Sequence, residues 1–277
     1  MASESNGPVT FSKLTADQSR EILALLGDAV SVAQEIVADS KLARLSKPTK
    51  SLSLMMLYHM AEKGEAVHRL ASSGLSAGVE TIVRSMFESH VDLQNLHNYP
   101  EHYPTYLFAA ATLSQRKQLD VLLSSPESRW KALAQMYAAS KANVALEDVR
   151  GEKDAELRQL VTQLPGKFLR GDKEKMRLET NIEIRAKWAN LHDEYNQMYR
   201  FLSAMSHSDL IAVTRQSEEH VSTWWPPKRK PCPGIAIRSS ASYVIRAIDR
   251  VTKKLDLDRR KLSSLENRSD NWHKEQA

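Results

Sequence analysis

Between Leu75 and Asn98 the apolar residues Leu75, Val79, Ile82, Val83, Met86, Phe87 and Leu93 recur with a period near 3.6. That spacing predicts a helix with one face turned to a core. The chain holds only nine glycines in 277 residues. A many-turned all-β fold and a glycine-rich dinucleotide fold both need more. Hydrophobic residues make up 42% and charged residues 26%, ordinary globular usage that supports a packed core. The expected fold is all-α, a helical bundle with long decorated loops.

The elements follow from local signals. "TADQ" reads as a capping box with Thr15 as N-cap and Gln18 reaching back. Ile22, Leu25, Leu26, Ala29, Val32 and Ile36 then recur at helical spacing, and "SKPTK" closes the region. A second helix is expected over about 50–72, with Leu54, Leu57, Tyr58, Ala61 and Leu70 as core, and "SSGLSAG" breaks it. After the striped helix, "NYPEHYPTY" turns the chain into a helix over about 105–123. Another opens at "SSPESRW", with Ser125 as N-cap and Pro126 at the first helical position. Residues 142–180 are highly charged and weakly periodic, which suggests helix pieces and a mobile excursion with a basic loop around Pro165 and Gly166. A helix is expected over about 181–206, with Trp188, Leu191, Tyr195, Met198 and Leu202 on one side. A long connection over 207–236 carries "TWWPPKRKPCPG", which cannot sit inside a regular element. A last helix over about 237–265 presents Val244, Ile245, Ile248, Val251 and Leu255. The reading is one domain over 15–266, a disordered N-terminus 1–14 and a polar tail 267–277.

The formal net charge of +5 permits an acidic partner such as RNA without demanding one. Cys232 is the one cysteine, so neither an internal disulfide nor a cysteine-based zinc site is open to this sequence. The opening "MASESNGPVTF" has no basic stretch followed by an apolar one, and no run approaches the roughly 18 apolar residues of a membrane span. A soluble cytoplasmic protein without cofactor or membrane association is expected. His90, His97 and His102 are spaced seven and five apart, but a proline turn separates the last two and no spacing fixes them as metal ligands.

Two helical stretches could carry chemistry. In "YRFLSAMSHSDL", Tyr199, Ser203 and His207 form one slanting stripe at about 0°, 40° and 80° around a regular helix, and Arg200 falls at about 100°, roughly 10 Å along the axis from His207. The stripe flanks the apolar face of Tyr195, Met198 and Leu202, where a cleft wall would be. A histidine can take and return a proton near neutral pH, and an arginine can hold a phosphate through paired hydrogen bonds. Together they could cleave RNA without metal, the histidine activating a 2′-hydroxyl. On spacing alone the favoured reading of Tyr199, Ser203 and His207 is a hydrogen-bonded ladder at the bundle edge. In "RSMFESHVDL", Arg84 and Glu88 lie four apart, about 140–180° from Val79. They read either as an exposed ion pair or as a buried pair orienting another polar group.

Taken together, "GLSAGVETIVRSMFESHVDLQNLHNYPEHYPTYL" and "WANLHDEYNQMYRFLSAMSHSD" resemble a family of bacterial helical proteins of unknown function. Its members carry an Arg-Ser-x-x-Glu helix and then a Tyr-x-x-x-Ser-x-x-x-His helix, here Arg84, Ser85 and Glu88, then Tyr199, Ser203 and His207. The resemblance covers roughly residues 50–210. That family is similar in plan to the HEPN helical domains, many of them metal-independent RNases of toxin–antitoxin and antiviral systems. Their motif is an arginine, four to six residues, and a histidine, and Arg200 and His207 have six between them. Phe201 stands where a polar residue often follows that arginine. The resemblance implies a homodimer, His207 as acid and base, and Arg200 on the scissile phosphate. Arg84, Glu88, Tyr199 and Ser203 would support them, Glu88 holding His207 in one tautomer. RNA is the implied substrate, and a protein partner or antitoxin remains unidentified. The competing reading is a non-catalytic interaction or regulatory protein in which Arg84, Glu88, Tyr199, Ser203 and His207 form a structural polar core.

Overall fold

The computed structural model describes residues 15–39, 47–75, 78–124, 146–171, 177–200, 202–203 and 234–274. Its elements are overwhelmingly helical: α1 (Ala16–Ala38), α2 (Pro48–Ser72), α3 (Val79–Asn98), α4 (Tyr103–Ser124), α5 (Leu146–Thr162), α6 (Ile182–Trp188), α7 (His192–Glu194), α8 (Gly234–Leu255) and α9 (Arg260–Lys274). One two-stranded antiparallel ribbon, β1 (Leu169–Arg170) against β2 (Arg177–Leu178), pairs Leu169 with Leu178. The chain divides into two compact units, residues 1–94 with 189–277, and residues 95–188.

The first unit is built on α1, α2 and α8, each packed on the other two, with α9 laid against α1 and α8. The capping box at Thr15 forms as the sequence predicts, with Thr15 N–H donating to Gln18 Oε1 at 2.8 Å and Gln18 N–H to Thr15 Oγ1 at 3.2 Å. Pro48 occupies the first turn of α2, so the proline that closes one region opens the next helix, its missing N–H costing nothing there. Leu26, Ala29, Leu57, Met60, Val244 and Ile248 are completely buried. Gly64 makes the close approach possible. A Cβ there would lie 2.9 Å from Val30 Cγ2 and 3.0 Å from Val244 Cγ2. Tyr58, expected in the core, is exposed, and so is Leu75. Gly74 and Gly78 both take left-handed backbone (φ 68° and 83°), so the stripe of α3 starts at Val79 and Leu75 lies outside it.

The two C-terminal helices differ from the sequence expectation. A single helix over 237–265 is instead α8 and α9, separated at Asp256, whose φ is +57°. Leu262 and Leu265 of α9 are buried, and helix continues past Asn267 to Lys274. The single helix expected over 181–206 is also broken. Asn190 takes φ +57° between α6 and α7, and α7 runs into a π-helical turn over Tyr195–Tyr199.

In the second unit α4 packs on α5 through crossed ion pairs. Arg116 reaches Asp154 at 2.9 Å and Arg150 reaches Asp120 at 2.8 Å. The charged stretch after residue 142 thus supplies a helix, α5, whose charges face a partner. Tyr103, Tyr106 and Phe168 form an aromatic core, with Phe168 edge-on to Trp188 at 5.1 Å. Tyr106 hydroxyl donates to the Glu179 carbonyl at 2.7 Å, and Asn95 Nδ2 to the Arg185 carbonyl at 2.9 Å. Phe168, within the expected basic loop, is fully buried. The helix expected from Ser125, the basic cluster at 226–233 and His207 lie outside the described residues.

Candidate functional site

In the first unit α3 meets the π turn, and the two sequence motifs join there through one tyrosine. Tyr199 hydroxyl donates to Glu88 Oε1 at 2.8 Å and accepts from Arg84 Nε at 3.0 Å. Arg84 and Glu88 also lie 3.5 Å apart, with 26% and 39% of their side-chain surface exposed. They are therefore half-buried and committed to Tyr199, and not a solvated ion pair on an outer face. The helix expectation put this pair opposite the apolar stripe, which is correct for α3 alone; what covers that second face is Tyr199.

Tyr199 is 5% exposed. Its ring packs on Phe87 at 5.4 Å and on Tyr195 at 5.2 Å. The expectation that the Tyr199 stripe flanks the core assumed 100° per residue throughout. In a π turn the N–H bonds five residues back, and Arg200 N–H bonds the Tyr195 carbonyl. The wider turn changes the angular position of every following side chain, and Tyr199 is carried inward. Burial, then its hydrogen bond to Glu88, pushes the Tyr199 phenol above its ordinary value, so it stays a neutral donor through the physiological range.

Lys63 of α2 completes the cluster and had no signal in the sequence. Its Nζ donates to Ser89 Oγ at 2.8 Å and to the Ser85 carbonyl at 3.3 Å. Burial holds the Lys63 ammonium below its usual value, and the Glu88 and Asp92 carboxylates oppose that fall. Glu88 thus faces Lys63 as well as Arg84. The 22 residues that separate Lys63 from Ser85 hide this pairing from any local pattern.

Arg200 leaves the end of the π turn exposed. Among the described residues no hydrogen bond or ion pair occupies its guanidinium. Ser203 is half-buried with a partner of its own. The structure therefore brings Arg84, Glu88 and Tyr199 into contact and sets Arg200 next to them in sequence. The expected contact between Glu88 and His207 lies outside the described residues.

Further along the same unit, Glu194 of α7 accepts from Arg246 Nη1 of α8 through both carboxylate oxygens at 3.0 Å. Tyr243, one turn before Arg246, stacks on His90 of α3 at 5.3 Å, and both are buried. Burial first, then the Arg246 and Arg250 guanidiniums, hold the His90 imidazole well below its ordinary value, so it is neutral. His90 lies in the first unit, while His97 and His102 belong to the second. Among the described residues no group of three or more His, Cys, Asp or Glu side chains is placed to hold a metal ion. None of the described helices is long and apolar enough to cross a membrane.

The family model that matches this chain spans residues 50–220 and so contains both motifs, from Arg84 to His207. No curated protein and no solved structure matches it. The ordered pair of motifs now has a physical meaning, a tyrosine of the second held by the arginine and glutamate of the first, and the chain that carries them belongs to the family of unknown function DUF5677.

Proposed function

We propose that this protein is a HEPN-like, metal-independent endoribonuclease, a cytoplasmic homodimer in a defence or toxin role. The observation that carries the reading is Arg200. It is an exposed guanidinium without a partner among the described residues, at the end of a turn whose Tyr199 is locked by Arg84 and Glu88. A charge fixed at its base and uncommitted at its tip suits the capture of a phosphate. His207 Nε2 or Nδ1 removes the proton of a ribose 2′-hydroxyl, and the 2′-oxygen attacks the adjacent phosphorus. The bond from phosphorus to the 5′-oxygen breaks, the imidazolium returns the proton to that oxygen, and Arg200 stabilises the charge on the phosphoryl oxygens. The products are a 2′,3′-cyclic phosphate and a 5′-hydroxyl. Arg84, Glu88, Tyr199 and Ser203 act as positioning residues in this account.

A specific observation favours a second reading. The Tyr199 hydroxyl spends both its donor and its acceptor inside the protein, as a structural polar core requires. In that case the chain is a non-catalytic interaction protein. Expression in bacteria separates the two. The nuclease reading expects wild-type protein to slow growth and fragment cellular RNA, and Arg200→Ala and His207→Ala to do neither while accumulating to the same soluble level. Equal growth and intact RNA with all three proteins would reject it in favour of the interaction reading.

A further inference from the structure

Three polar groups short of hydrogen-bond partners among the described residues lie in the first unit: His90 and Tyr243, which stack on each other, and Arg250, two turns past Tyr243 on the same face of α8. The two ring nitrogens of His90 and the hydroxyl of Tyr243 are buried and, among the described residues, make no hydrogen bond. The Tyr243 hydroxyl lies beside the Glu194 carboxylate, which with burial raises the phenol, but no hydrogen bond of ordinary geometry joins the two. The third group is Arg250, half-buried one turn beyond Arg246. Its hydrogen bond among the described residues is a long one, 3.4 Å from Nη1 to the Arg246 carbonyl. Native proteins rarely leave such groups unmet, and a cluster of them marks a place where something else supplies the partners.

The charge balance says what kind of partner. Glu194 is consumed by Arg246, with both oxygens at 3.0 Å. Asp249, the other carboxylate on this part of α8, is consumed by Lys253 at 2.8 Å and Arg259 at 2.5 Å. Arg250 is left as surplus positive charge in a partly desolvated setting. That desolvation, with Arg246 beside it, pulls the Arg250 guanidinium down to about 10, still charged at neutral pH. A guanidinium, a phenol and a neutral imidazole can all present N–H or O–H donors at once. Donors around a single surplus cation fit an oxyanion.

We infer that His90, Tyr243 and Arg250, with the Arg246–Glu194 pair at their edge, form a binding site for a phosphate-class oxyanion. His90 and Tyr243 make its closed inner end and the half-buried arginines its open side. The site does not rest on the nuclease reading, since neither Arg200 nor His207 takes part. The ligand is either free phosphate or the phosphodiester of a nucleic acid, and the chemistry at the three donors is the same for both.

The test is thermal unfolding of the full chain titrated with inorganic phosphate and, separately, with a uridine dinucleotide, chloride holding ionic strength constant. A ligand that binds the folded state alone raises Tm in a saturable way. Wild-type protein is expected to show that rise with at least one of the two probes, and which one identifies the source. Arg250→Met keeps the apolar stem and is expected to weaken half-saturation by about tenfold or more. His90→Phe keeps the stack on Tyr243 and is expected to weaken it too, while Lys253→Met responds as wild type. A rise that is absent with both probes, that chloride reproduces, or that survives unchanged in Arg250→Met and His90→Phe overturns the site.

Discussion

Replacing Tyr199 with phenylalanine isolates the bond that joins the two motifs. The ring and its contacts to Phe87 and Tyr195 stay, so no cavity opens. What is lost is one donation to the Glu88 carboxylate at 2.8 Å and one acceptance from Arg84 at 3.0 Å. Hydrogen bonds to charged groups contribute about 1.5–3 kcal/mol each when buried. Here Arg84 and Glu88 keep 26% and 39% of their side-chain surface, so water partly replaces the hydroxyl, and the two can close on each other from 3.5 Å. The expected net loss is about 1–2 kcal/mol. It is read as a lower urea midpoint at pH 7 with an unchanged slope. The pH dependence adds a second readout. The folded-state phenol is raised above 10.0, chiefly by burial and then by Glu88. A raised value means the folded state holds the proton more tightly, so the advantage of wild type over Tyr199→Phe is complete below pH 10.0 and shrinks as pH rises through the folded value. In a double-mutant cycle with Glu88→Gln the two changes should couple by about 1 kcal/mol. Additive effects, or a Tyr199→Phe midpoint equal to wild type, would refute the claim that this hydroxyl ties the motifs together.

Three further outcomes follow from the packing. His90→Phe removes two buried nitrogens that lack partners among the described residues, and should raise stability by about 1–2 kcal/mol at pH 7. Because the folded-state imidazole is held well below 6.5, mainly by burial with Arg246 and Arg250 adding to it, wild-type stability should fall as pH drops below 6.5; His90→Phe should lose that part of the slope. Equal denaturation profiles at pH 5.5 and 7.5 for both proteins would contradict this. Gly64→Ala should lower stability by about 1–3 kcal/mol despite alanine's better helix propensity, since Val30 and Val244 leave no room for a Cβ; a Tm at or above wild type would show that the helices part without cost. Tyr106→Phe should cost the second unit about 1–2 kcal/mol by orphaning the buried Glu179 carbonyl, detected as faster amide exchange confined to residues 95–188, and uniform exchange would speak against it.

What was legible in the sequence was what neighbours in the chain decide. The Thr15 capping box needs only residues three apart, and it forms as expected. Val244, Ile245, Ile248, Val251 and Leu255 occupy the buried face that their spacing implies. The break at Asp256 carries no glycine or proline to announce it; α9 turns there because Leu262 and Leu265 find burial in the first unit. The π turn at Tyr195–Tyr199 is likewise invisible to a 3.6-residue wheel, which is why Tyr199 was placed at the edge of the core it enters. Arg84 and Glu88 share a partner, Tyr199, that stands 111 residues from Glu88 and 115 from Arg84, beyond any local pattern. Lys63 and the Glu194–Arg246 pair depend entirely on the fold, and ion pairs of that kind look like any other surface charge until the helices meet.

The nuclease reading is tested most directly on purified protein in excess chelator with a single-stranded RNA. The account predicts cleavage that leaves 2′,3′-cyclic phosphate ends. Cleavage should stop at a position carrying a 2′-deoxyribose, and it should fall about a hundredfold or more in His207→Ala. Intact RNA with wild-type protein, or cleavage that is indifferent to the 2′-hydroxyl and to His207, would contradict it.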